Sequence, residues 1–544
     1  MISKSLWTVP AIFATVLAAT SAGREPRPIV IDGRFGDWAG LPAAWDDPVD
    51  ARGSAVDLGL IKAGHDEDAI FLLIDLGRSV NAEALAGTLS LLFDADAKPE
   101  TGWSEAGLMG SDLVVDLSPP YGVGGAPPGL GVGVRRGAHP DRTGVAGSSA
   151  LIERVDGYDV GFVYAPKYRS RWIELRLDRR SPSGGTGPFR AESYTAKVVF
   201  RGPRGEPLDE AGPFVYDLRP DVPRRARPAG ESDPLARPPD APLRVMSWNV
   251  SGRNLLERTD VFRRLISAAR PDLLLLDEAP ADLSPGEIRA LLPALPTKEG
   301  SGWEVIYGQA GGRQRGVIAS RVGRLTPLPR LERVEYPRDL TERLEGTRPL
   351  GFGGTDDGIP TLGAVVELPE GRLLVSTSDL QCCGNGSDTP EELIRLAEAE
   401  SIGTAIRKAM SGGEGGVDAV LVTGDFNLVG SRRPLDLLLR GLDTDGSNLT
   451  DAHPLDLAAL TDATWSGARA VRAFTPGRLD CFLYSDSALR LEQAFVLSTG
   501  DLPARWLQAH GLRADDSDHA SDHRPIVADL SWIEPEPEPR RRRP

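Results

Sequence analysis

The chain is 544 residues long, is 40% hydrophobic and 26% charged, and carries a net charge of −16. The composition is that of a globular protein, and the length exceeds one ordinary domain, so two domains are expected. The negative charge argues against a protein that coats nucleic acid through a basic face. Three cysteines (Cys382, Cys383 and Cys481) exclude a disulfide framework, and they leave open either a pairing of Cys481 with one of the others or three buried thiols.

The N-terminus predicts an export signal over residues 1–22. Lys4 supplies the positive start, residues 6–19 form a mainly apolar run, and residues 20–22 are small and suited to cleavage. An uncleaved N-terminal anchor is the alternative, although the apolar run is short for a full membrane span. We therefore expect a secreted or periplasmic protein.

Residues 25–218 predict a β-sandwich domain. Short apolar or alternating runs recur there, separated by glycine, proline, aspartate and asparagine, which is the pattern of an all-β sandwich. The predicted strands cover residues 58–62, 70–74, 89–93, 113–115, 172–177 and 195–200. Residues 219–242 hold seven prolines and predict a semi-rigid linker. Residues 534–544 alternate glutamate with proline and then give four arginines, which predicts a disordered tail.

Residues 243–533 alternate predicted strands and helices, as expected of a mixed α/β sandwich. Helical spacing covers residues 255–269, and a long helix over 390–410 begins with Thr389 and Pro390, a residue pair typical of a helix start. The predicted strands cover residues 243–250, 272–276, 303–307, 316–320, 362–368 and 373–377.

Four polar motifs lie at the ends of strand-like runs in this second half. They are Ser-Trp-Asn-Val at 247–250, Gly-Asp-Phe-Asn at 424–427, Arg-Leu-Asp at 478–480 and Ser-Asp-His at 521–523. Strand ends in a layered sheet can bring residues far apart in sequence to one rim. A rim of asparagine, aspartate and histidine provides hard oxygen ligands for a divalent metal and an imidazole for the proton or the phosphoryl charge.

The four motifs, in this order and with Arg-Pro-Ile-Val at 524–527 after the last, resemble the endonuclease/exonuclease/phosphatase superfamily over residues 241–533. This superfamily includes pancreatic-type deoxyribonucleases, apurinic endonucleases, neutral sphingomyelinases and inositol-polyphosphate 5-phosphatases. The resemblance implies a two-sheet α/β sandwich with its site at one edge. It also implies Mg²⁺ or Mn²⁺ as cofactor and a phosphoester substrate, with nucleic acid, phospholipid and small phosphoesters all left open.

The resemblance assigns catalytic roles to five residues. Asn249 contacts a phosphate oxygen or a metal-bound water, and Asp425 orients or activates the attacking water. Asn427 holds the phosphate or the transition-state oxyanion. Asp480 orients His523, which contacts the phosphate as a proton-transfer group or as a charged stabiliser.

Two carboxylates are the expected metal ligands. Glu278 follows a buried apolar run, where a carboxylate is costly unless it is paired or binds a cation, and its neighbour Asp277 is a second candidate. Asp522 is the other acid on the metal side by resemblance. Arg313 and Arg315, on a glycine-flanked segment, are candidates for phosphate contact, with a plain exposed turn as the alternative.

Asp379 departs from the superfamily pattern. Many members carry a second catalytic histidine in a Thr-His-Leu-like context, whereas this chain reads Ser-Thr-Ser-Asp-Leu at 376–380. An aspartate there can contact phosphate when protonated or hold a second metal, but it cannot donate as a cationic imidazole. Two functions follow: an exported metal-dependent phosphoesterase acting on a phosphodiester, or a catalytically impaired surface- or carbohydrate-binding protein.

The N-terminal domain resembles the family-9-like carbohydrate-binding sandwich. The resemblance lies in Ile-Asp-Gly at 31–33 with Asp37 and Trp38, and in Asp94, Asp96 and Asp112 further on. It implies a carbohydrate or cell-surface ligand. Trp38 could stack on a sugar or close the core, and Asp94 and Asp96 could bind Ca²⁺ or form an acidic turn. No obligate protein partner is evident.

Mild proteolysis should cut first within residues 219–242, because this stretch is proline-rich and polar and lacks apolar periodicity. The expected products are two fragments that separate near residue 230, identified by mass spectrometry of the digest. First cleavage inside residues 243–533 would contradict the predicted boundary.

Overall fold

The computed structural model describes residues 28–137, 152–179, 187–219, 232–295, 302–344, 346–347, 349–411, 416–469 and 471–534. The predicted export signal, half of the predicted linker (residues 220–231) and nearly all of the predicted tail lie outside these ranges. None of the described helices is both long and apolar enough to cross a membrane. The fold is a mixed α/β sandwich preceded by a β-sandwich, as the sequence predicts.

The N-terminal part contains two main sheets and a small hairpin. One sheet has the strand order β1-β2-β3-β11-β10, the other β13-β12-β4-β7-β8-β9, and β5 pairs with β6. Their bounds are β1 Ala43–Asp46, β2 Leu60–His65, β3 Ala69–Val80, β4 Thr88–Asp94, β5 Trp103–Glu105, β6 Leu108–Ser111, β7 Leu113–Leu117, β8 Val132–Gly137, β9 Ile152–Asp156, β10 Val163–Ala165, β11 Ser170–Asp178, β12 Ser193–Arg201 and β13 Pro207–Asp217.

Trp38 is buried in an apolar cluster on the outer face of the sheet that contains β3, outside the core between the two sheets. Its side chain is buried, and its indole N–H donates to Glu174 Oε2 at 2.7 Å. Glu174 also accepts hydrogen bonds from the backbone N–H groups of Asp32 and Gly33 at 2.9 and 2.6 Å. The Ile-Asp-Gly…Asp-Trp motif thus has a structural role, because it attaches residues 31–38 to β11. The buried Trp38 ring is not accessible to a sugar.

The C-terminal part contains two more sheets and nine described α-helices. The sheets have the orders β16-β17-β15-β14-β26-β25-β23 and β18-β19-β20-β21-β24-β22. The strands are β14 Leu243–Asn249, β15 Leu273–Pro280, β16 Glu304–Tyr307, β17 Gln314–Ser320, β18 Arg324–Pro327, β19 Thr361–Leu368, β20 Gly371–Asp379, β21 Ala419–Asp425, β22 Thr450–Asp451, β23 Leu455–Asp456, β24 Asp480–Tyr484, β25 Leu489–Val496 and β26 Ile526–Trp532. The helices are α1 Asn254–Glu257, α2 Thr259–Ala269, α3 Pro285–Leu291, α4 Pro329–Glu332, α5 Leu340–Arg343, α6 Pro390–Ser411, α7 Arg433–Leu439, α8 Ala504–His510 and α9 Asp516–Ala520.

These elements stack as helix, sheet, sheet and helix. Leu265 and Ile266 of α2 pack on the outer face of the seven-stranded sheet, and Ile402 and Ile406 of α6 pack on the outer face of the six-stranded sheet. A third apolar cluster fills the space between the two sheets. The Thr389 hydroxyl accepts a hydrogen bond from the backbone N–H of Glu392 at 3.3 Å, so α6 begins where the sequence predicts.

Side-chain alternation decides which residues reach the rim between the sheets. On β14, Val245 packs between the sheets, whereas Met246 and Trp248 face the helices. On β21, Leu421 packs between the sheets, and Val422 faces the helices. Because alternate residues share a face, Asn249 and Asp425, at the ends of these strands, fall on the inter-sheet side. The fold of the sandwich therefore brings these two residues to the same rim, although they lie far apart in sequence.

The two sandwiches are in direct contact along a polar seam. Asp156 forms a bidentate ion pair with Arg472, with N···O distances of 2.5 and 2.8 Å. The Val132 backbone N–H donates to the Ala473 carbonyl at 2.8 Å, and the Tyr158 hydroxyl donates to the Phe474 carbonyl at 2.8 Å. The proline-rich segment thus joins two domains that pack against each other.

Candidate active site

Three aspartates lie side by side at the ends of neighbouring strands in the six-stranded sheet. Asp379 of β20 is in register with Asp425 of the parallel strand β21, and Asp425 is in register with Asp480 of the antiparallel strand β24. In the facing sheet, Asn249 of β14 is in register with Asp277 of β15. The strand-end motifs therefore meet at one edge of the sandwich, as the sequence predicts.

The Gly-Asp-Phe-Asn motif depends on its glycine. Gly424 has a φ of +125°, and a Cβ there would lie 2.0 Å from the Ser378 carbonyl oxygen on β20, so a side chain has neither the space nor the favoured conformation. Phe426 is buried, and Asn427 turns the chain with a φ of +48°. The Asn427 carboxamide donates to the Leu380 carbonyl at 2.8 Å, which places it beside Asp379.

A bulge in β15 directs Glu278 into the site. The pairing of β15 with β17 shifts between Leu276 and Ala279, and Glu278 has a φ of +56°, which is rare for a residue with a side chain. Without the bulge, simple alternation would point Glu278 away from the inter-sheet side. The Asn249 carboxamide donates to Glu278 at 2.9 Å and to Asp425 at 3.2 Å, and so joins the two sheets.

His523 lies between two carboxylates. Its Nδ1 is 2.8 Å from Asp480 Oδ2, and its Nε2 is 3.5 Å from Asp425 Oδ2. The Trp248 indole donates to the His523 carbonyl at 2.9 Å, and the His523 backbone N–H donates to the Ser521 hydroxyl at 3.1 Å. The ring is therefore held with Nδ1 on Asp480 and Nε2 on the side of Asp425.

Burial and mutual repulsion set the protonation of this site. Burial alone would lower the pKa of His523, but the charges of Asp480 and Asp425 outweigh it and raise this pKa well above its usual value. Burial raises the pKa of Asp425 to about 7, with His523 acting in the opposite direction. Burial, reinforced by Glu278 and Asp425, raises the pKa of Asp379 well above its usual value. These crowded carboxylates gain stability from any cation placed among them.

The arrangement fits a hard divalent cation. One oxygen from each of Glu278, Asp379 and Asp425 lies within 4.8 Å of the others, which is a carboxylate set of the kind that Mg²⁺ and Mn²⁺ prefer. Asp425, Asp480 and His523 form a second such group in the described residues. Asp379 thus belongs with Glu278 to a group that could hold a metal, which is one of the two roles that the sequence leaves open for it.

Asp522 lies in the same cavity but outside both groups. Its carboxylate accepts a hydrogen bond from the Trp465 indole at 3.2 Å, and Trp465 also bridges to His523 through its backbone. No motif around Trp465 marks it in the sequence, because its role depends on a contact made across the fold. Asp522 stays a candidate ligand that Trp465 now orients.

The two candidate arginines lie elsewhere. Arg315 donates to the carbonyls of Ala310 and Gly312, on its own loop, and Arg313 is exposed. Neither is among the residues that line the cavity described below. The structure therefore does not bring Arg313 or Arg315 to the site.

A cavity of about 950 Å³ opens over the cluster, with Glu278, Asp425, Asn427, Asp522 and His523 in its lining. Two of the three cysteines line it as well. Cys382 and Cys383 have their sulfur atoms 2.7 Å apart, and Cys481 is buried beside the Arg478 guanidinium, so Cys481 is paired with neither.

The sequence profile described as the Endonuclease/Exonuclease/phosphatase family matches residues 246–523, which is just over half of the chain. The chain belongs to this family. It is therefore a hydrolase of the phosphoesterase and nuclease type. No curated protein gives a significant match over the sequence.

Solved structures of low sequence identity also match the chain. The human Nocturnin catalytic domain with bound sulfate is 16% identical over 56% of this chain and 100% of that one, with a TM-score of 0.35. D. rerio TDP2 complexed with single-strand DNA product is 18% identical over 53% and 98%, with a TM-score of 0.33. The 3′ phosphatase NExo from Neisseria, bound to a product DNA hairpin, is 19% identical over 53% and 100%, with a TM-score of 0.32.

The His523→Ala variant should lose at least ~10²-fold in kcat, because it removes the imidazole that lies between Asp480 and Asp425 while leaving the carboxylates in place. Steady-state hydrolysis of bis-p-nitrophenyl phosphate measures the loss, and circular dichroism checks the fold. Trp248→Phe is the control: it removes the donor to the His523 carbonyl and part of a buried ring but keeps the imidazole, so a smaller loss is expected. Unchanged turnover of His523→Ala would contradict the site.

Proposed function

We propose that this protein is an exported, divalent-metal-dependent phosphodiesterase. The observation that carries the proposal is the rim of Glu278, Asp379 and Asp425 beside the Asp480–His523 pair, with two carboxamides on the same edge. Family membership supports phosphoester hydrolysis in general, and the predicted signal over residues 1–22 supports export. The test is a screen of the purified protein with Mg²⁺, Mn²⁺ and Ca²⁺ against plasmid DNA, RNA, sphingomyelin and bis-p-nitrophenyl phosphate.

Glu278, Asp379 and Asp425 would hold the metal, with Asp522 as a further candidate nearby. A divalent cation bound there supplies Lewis-acid stabilisation of a phosphoryl oxygen. Asn249 keeps Glu278 and Asp425 in place, since its carboxamide donates to both. Asn427, fixed through the Leu380 carbonyl, adds an amide donor beside Asp379 for an oxygen of the phosphoryl group.

The chain's own residues divide the proton handling between Asp425 and His523. Asp425 orients the attacking water and accepts its proton as the new P–O bond forms. His523 is cationic because Asp480 and Asp425 raise its pKa, so its Nε2 proton can stabilise the phosphoryl charge or pass to the leaving oxygen as the old P–O bond breaks. Asp480 holds the ring in the orientation that either role requires.

The N-terminal sandwich carries two weaker proposals. A carbohydrate or cell-surface ligand follows from its resemblance, but Trp38 is buried, so other residues would have to bind it. A Ca²⁺ site follows from Asp94, Asp96 and Asp112, whose carboxylates each place an oxygen within 4.8 Å of the others. The alternative, a catalytically impaired binding protein, is supported by Asp379 alone. A role of Asp379 as a metal ligand would instead make this residue part of a working active site.

Chelation should abolish hydrolysis, and Mg²⁺ or Mn²⁺ should restore it. Glu278→Gln removes one charge from the carboxylate set, so it should raise the Mg²⁺ concentration for half-maximal activity by about tenfold or more. Glu287→Gln, at a helix start outside the cavity, is the matched control and should titrate like the wild type. Full activity in excess EDTA would rule out the metal mechanism.

The substituted position allows a test by sign. If Asp379 is a metal ligand, Asp379→His should lower activity and raise the Mg²⁺ requirement, because imidazole is a poor ligand for hard Mg²⁺. If Asp379 merely replaces the histidine of the superfamily pattern, the same change should keep or raise turnover. The structure favours the first result, and the Mg²⁺ dependence of bis-p-nitrophenyl phosphate hydrolysis decides between them.

A further inference from the structure

The cavity over the catalytic rim has two walls, and the N-terminal sandwich forms one of them. Asn81, Leu85, Leu130, Lys167 and Arg169 line it on that side. A cavity of about 950 Å³ is the size that proteins use to enclose small molecules. Substrate entering it must contact both domains.

The two walls differ in charge. The lysine and arginine side chains among the described lining residues are Lys167 and Arg169, and both belong to the segment between β10 and β11. The acids of the catalytic wall outnumber its cations: its described lining has no lysine or arginine, and His523 stands among Glu278, Asp388, Glu391, Asp425 and Asp522. A phosphoester is an anion, so a cation on the opposite wall favours its binding.

Lys167 is committed to the domain interface. Its ammonium donates to Glu83 at 3.0 Å and to the Thr475 hydroxyl at 2.6 Å, so its charge is offset within the protein. Its stem lies against Gly477, where a Cβ would meet Lys167 Cγ at 2.4 Å. The backbone of Gly477 is hydrogen-bonded to the backbone of Trp465, whose indole N–H donates to Asp522. Lys167 therefore positions the catalytic wall and is not available to bind substrate charge.

Arg169 makes no direct ion pair in the described residues, and the Ser387 hydroxyl that it contacts donates to Asp388 at 3.2 Å. The Arg169 side chain is exposed, and its guanidinium donates to two neutral acceptors, the Ser79 carbonyl at 2.8 Å and the Ser387 hydroxyl at 3.0 Å. Its backbone N–H donates to the Gly430 carbonyl at 3.0 Å, just beyond Asn427, so the arginine is anchored to the catalytic loop.

Asn81 fixes the same junction from the N-terminal side. Its carboxamide donates to the carbonyls of Val429 and Gly430 at 3.0 and 2.8 Å, and its oxygen accepts from the Ser387 backbone N–H at 3.2 Å. These bonds hold the loop that follows Asn427 and the loop that carries Ser387. The position of Arg169 relative to the catalytic wall is therefore set by hydrogen bonds from both domains.

We propose that the N-terminal sandwich is an integral half of the catalytic cleft, and that Arg169 is a substrate-binding residue that holds an anionic oxygen of a small phosphoester. This inference rests on the proposed function. A cavity of this volume between two walls selects molecules of about dinucleotide size or smaller over the interior of a nucleic-acid duplex. Apolar side chains such as Leu85 and Leu130 receive the uncharged part of the substrate.

The test compares full-length wild type with Arg169→Ala, Arg169→Lys, His523→Ala and Arg171→Ala. Arg171 is the matched control, since it lies two residues away, pairs with Asp75 and does not line the cavity. The readouts are kcat and KM for bis-p-nitrophenyl phosphate and the inhibition constant of inorganic phosphate. Arg169→Ala should raise KM and the inhibition constant by about tenfold, the loss of a charge-assisted hydrogen bond, with kcat within about threefold.

Arg169→Lys should fall between the wild type and Arg169→Ala, because it keeps the charge but loses the planar fork. Arg171→Ala should match the wild type. Wild-type KM and phosphate inhibition in folded Arg169→Ala would overturn the inference while His523→Ala still reported an active site. Unchanged turnover in His523→Ala would instead overturn the proposed function.

Substrate size gives a second readout on the unmodified protein. The wild type should have a higher kcat/KM for hydrolysis of a dinucleotide than for nicking of a supercoiled plasmid, when both values are expressed per phosphodiester bond. Faster plasmid nicking would overturn the size limit that the two-walled cavity imposes.

Discussion

The backbone N–H of Asp425 donates to the buried carboxylate of Asp277 at 2.8 Å, and this bond joins the two sheets of the catalytic sandwich at the site. Burial raises the pKa of Asp277 well above its usual value, and its other oxygen has no partner in the described residues. Asp277 is thus a structural acid. With the sheets fixed there, the Asn249 carboxamide spans the same gap to hold Glu278 and Asp425, and His523 reaches Asp425 from the neighbouring loop.

How much of this site can be predicted from sequence depends on whether the determinant is local. Strand periodicity places Asn249 and Asp425 on one face, and their motifs identify the family, so both follow from the sequence. The direction of Glu278 does not follow from periodicity, because it depends on a bulge against β17. Arg315 looked like a phosphate contact by its glycine-flanked context, but its guanidinium bonds to carbonyls of its own loop, which only the folded loop reveals.

The relation between the two domains is the part that the sequence hides most completely. A proline-rich stretch between two domains suggests independence, because composition reports on the linker and not on the surfaces it joins. The two surfaces here fit together closely. Asp156 pairs with Arg472, and the Lys167 side chain packs against Gly477, where any side chain would clash with it. No sequence motif marks these residues, because their types are common on protein surfaces. Their role in the interface can be recognised only once the contact partner is known.

The acidic residue at position 379 and the basic residue at position 169 make sense together. Asp379 gives the rim one more carboxylate than the superfamily pattern implies, and it adds to the repulsion among Glu278 and Asp425. Such a rim favours a bound cation but repels a phosphoester that approaches alone. Arg169, on the opposite wall and held by one neutral acceptor from each domain, counters that repulsion for the incoming anion. The balance of charge in this site is thus set by both sandwiches, and the contact between them belongs to the catalytic apparatus.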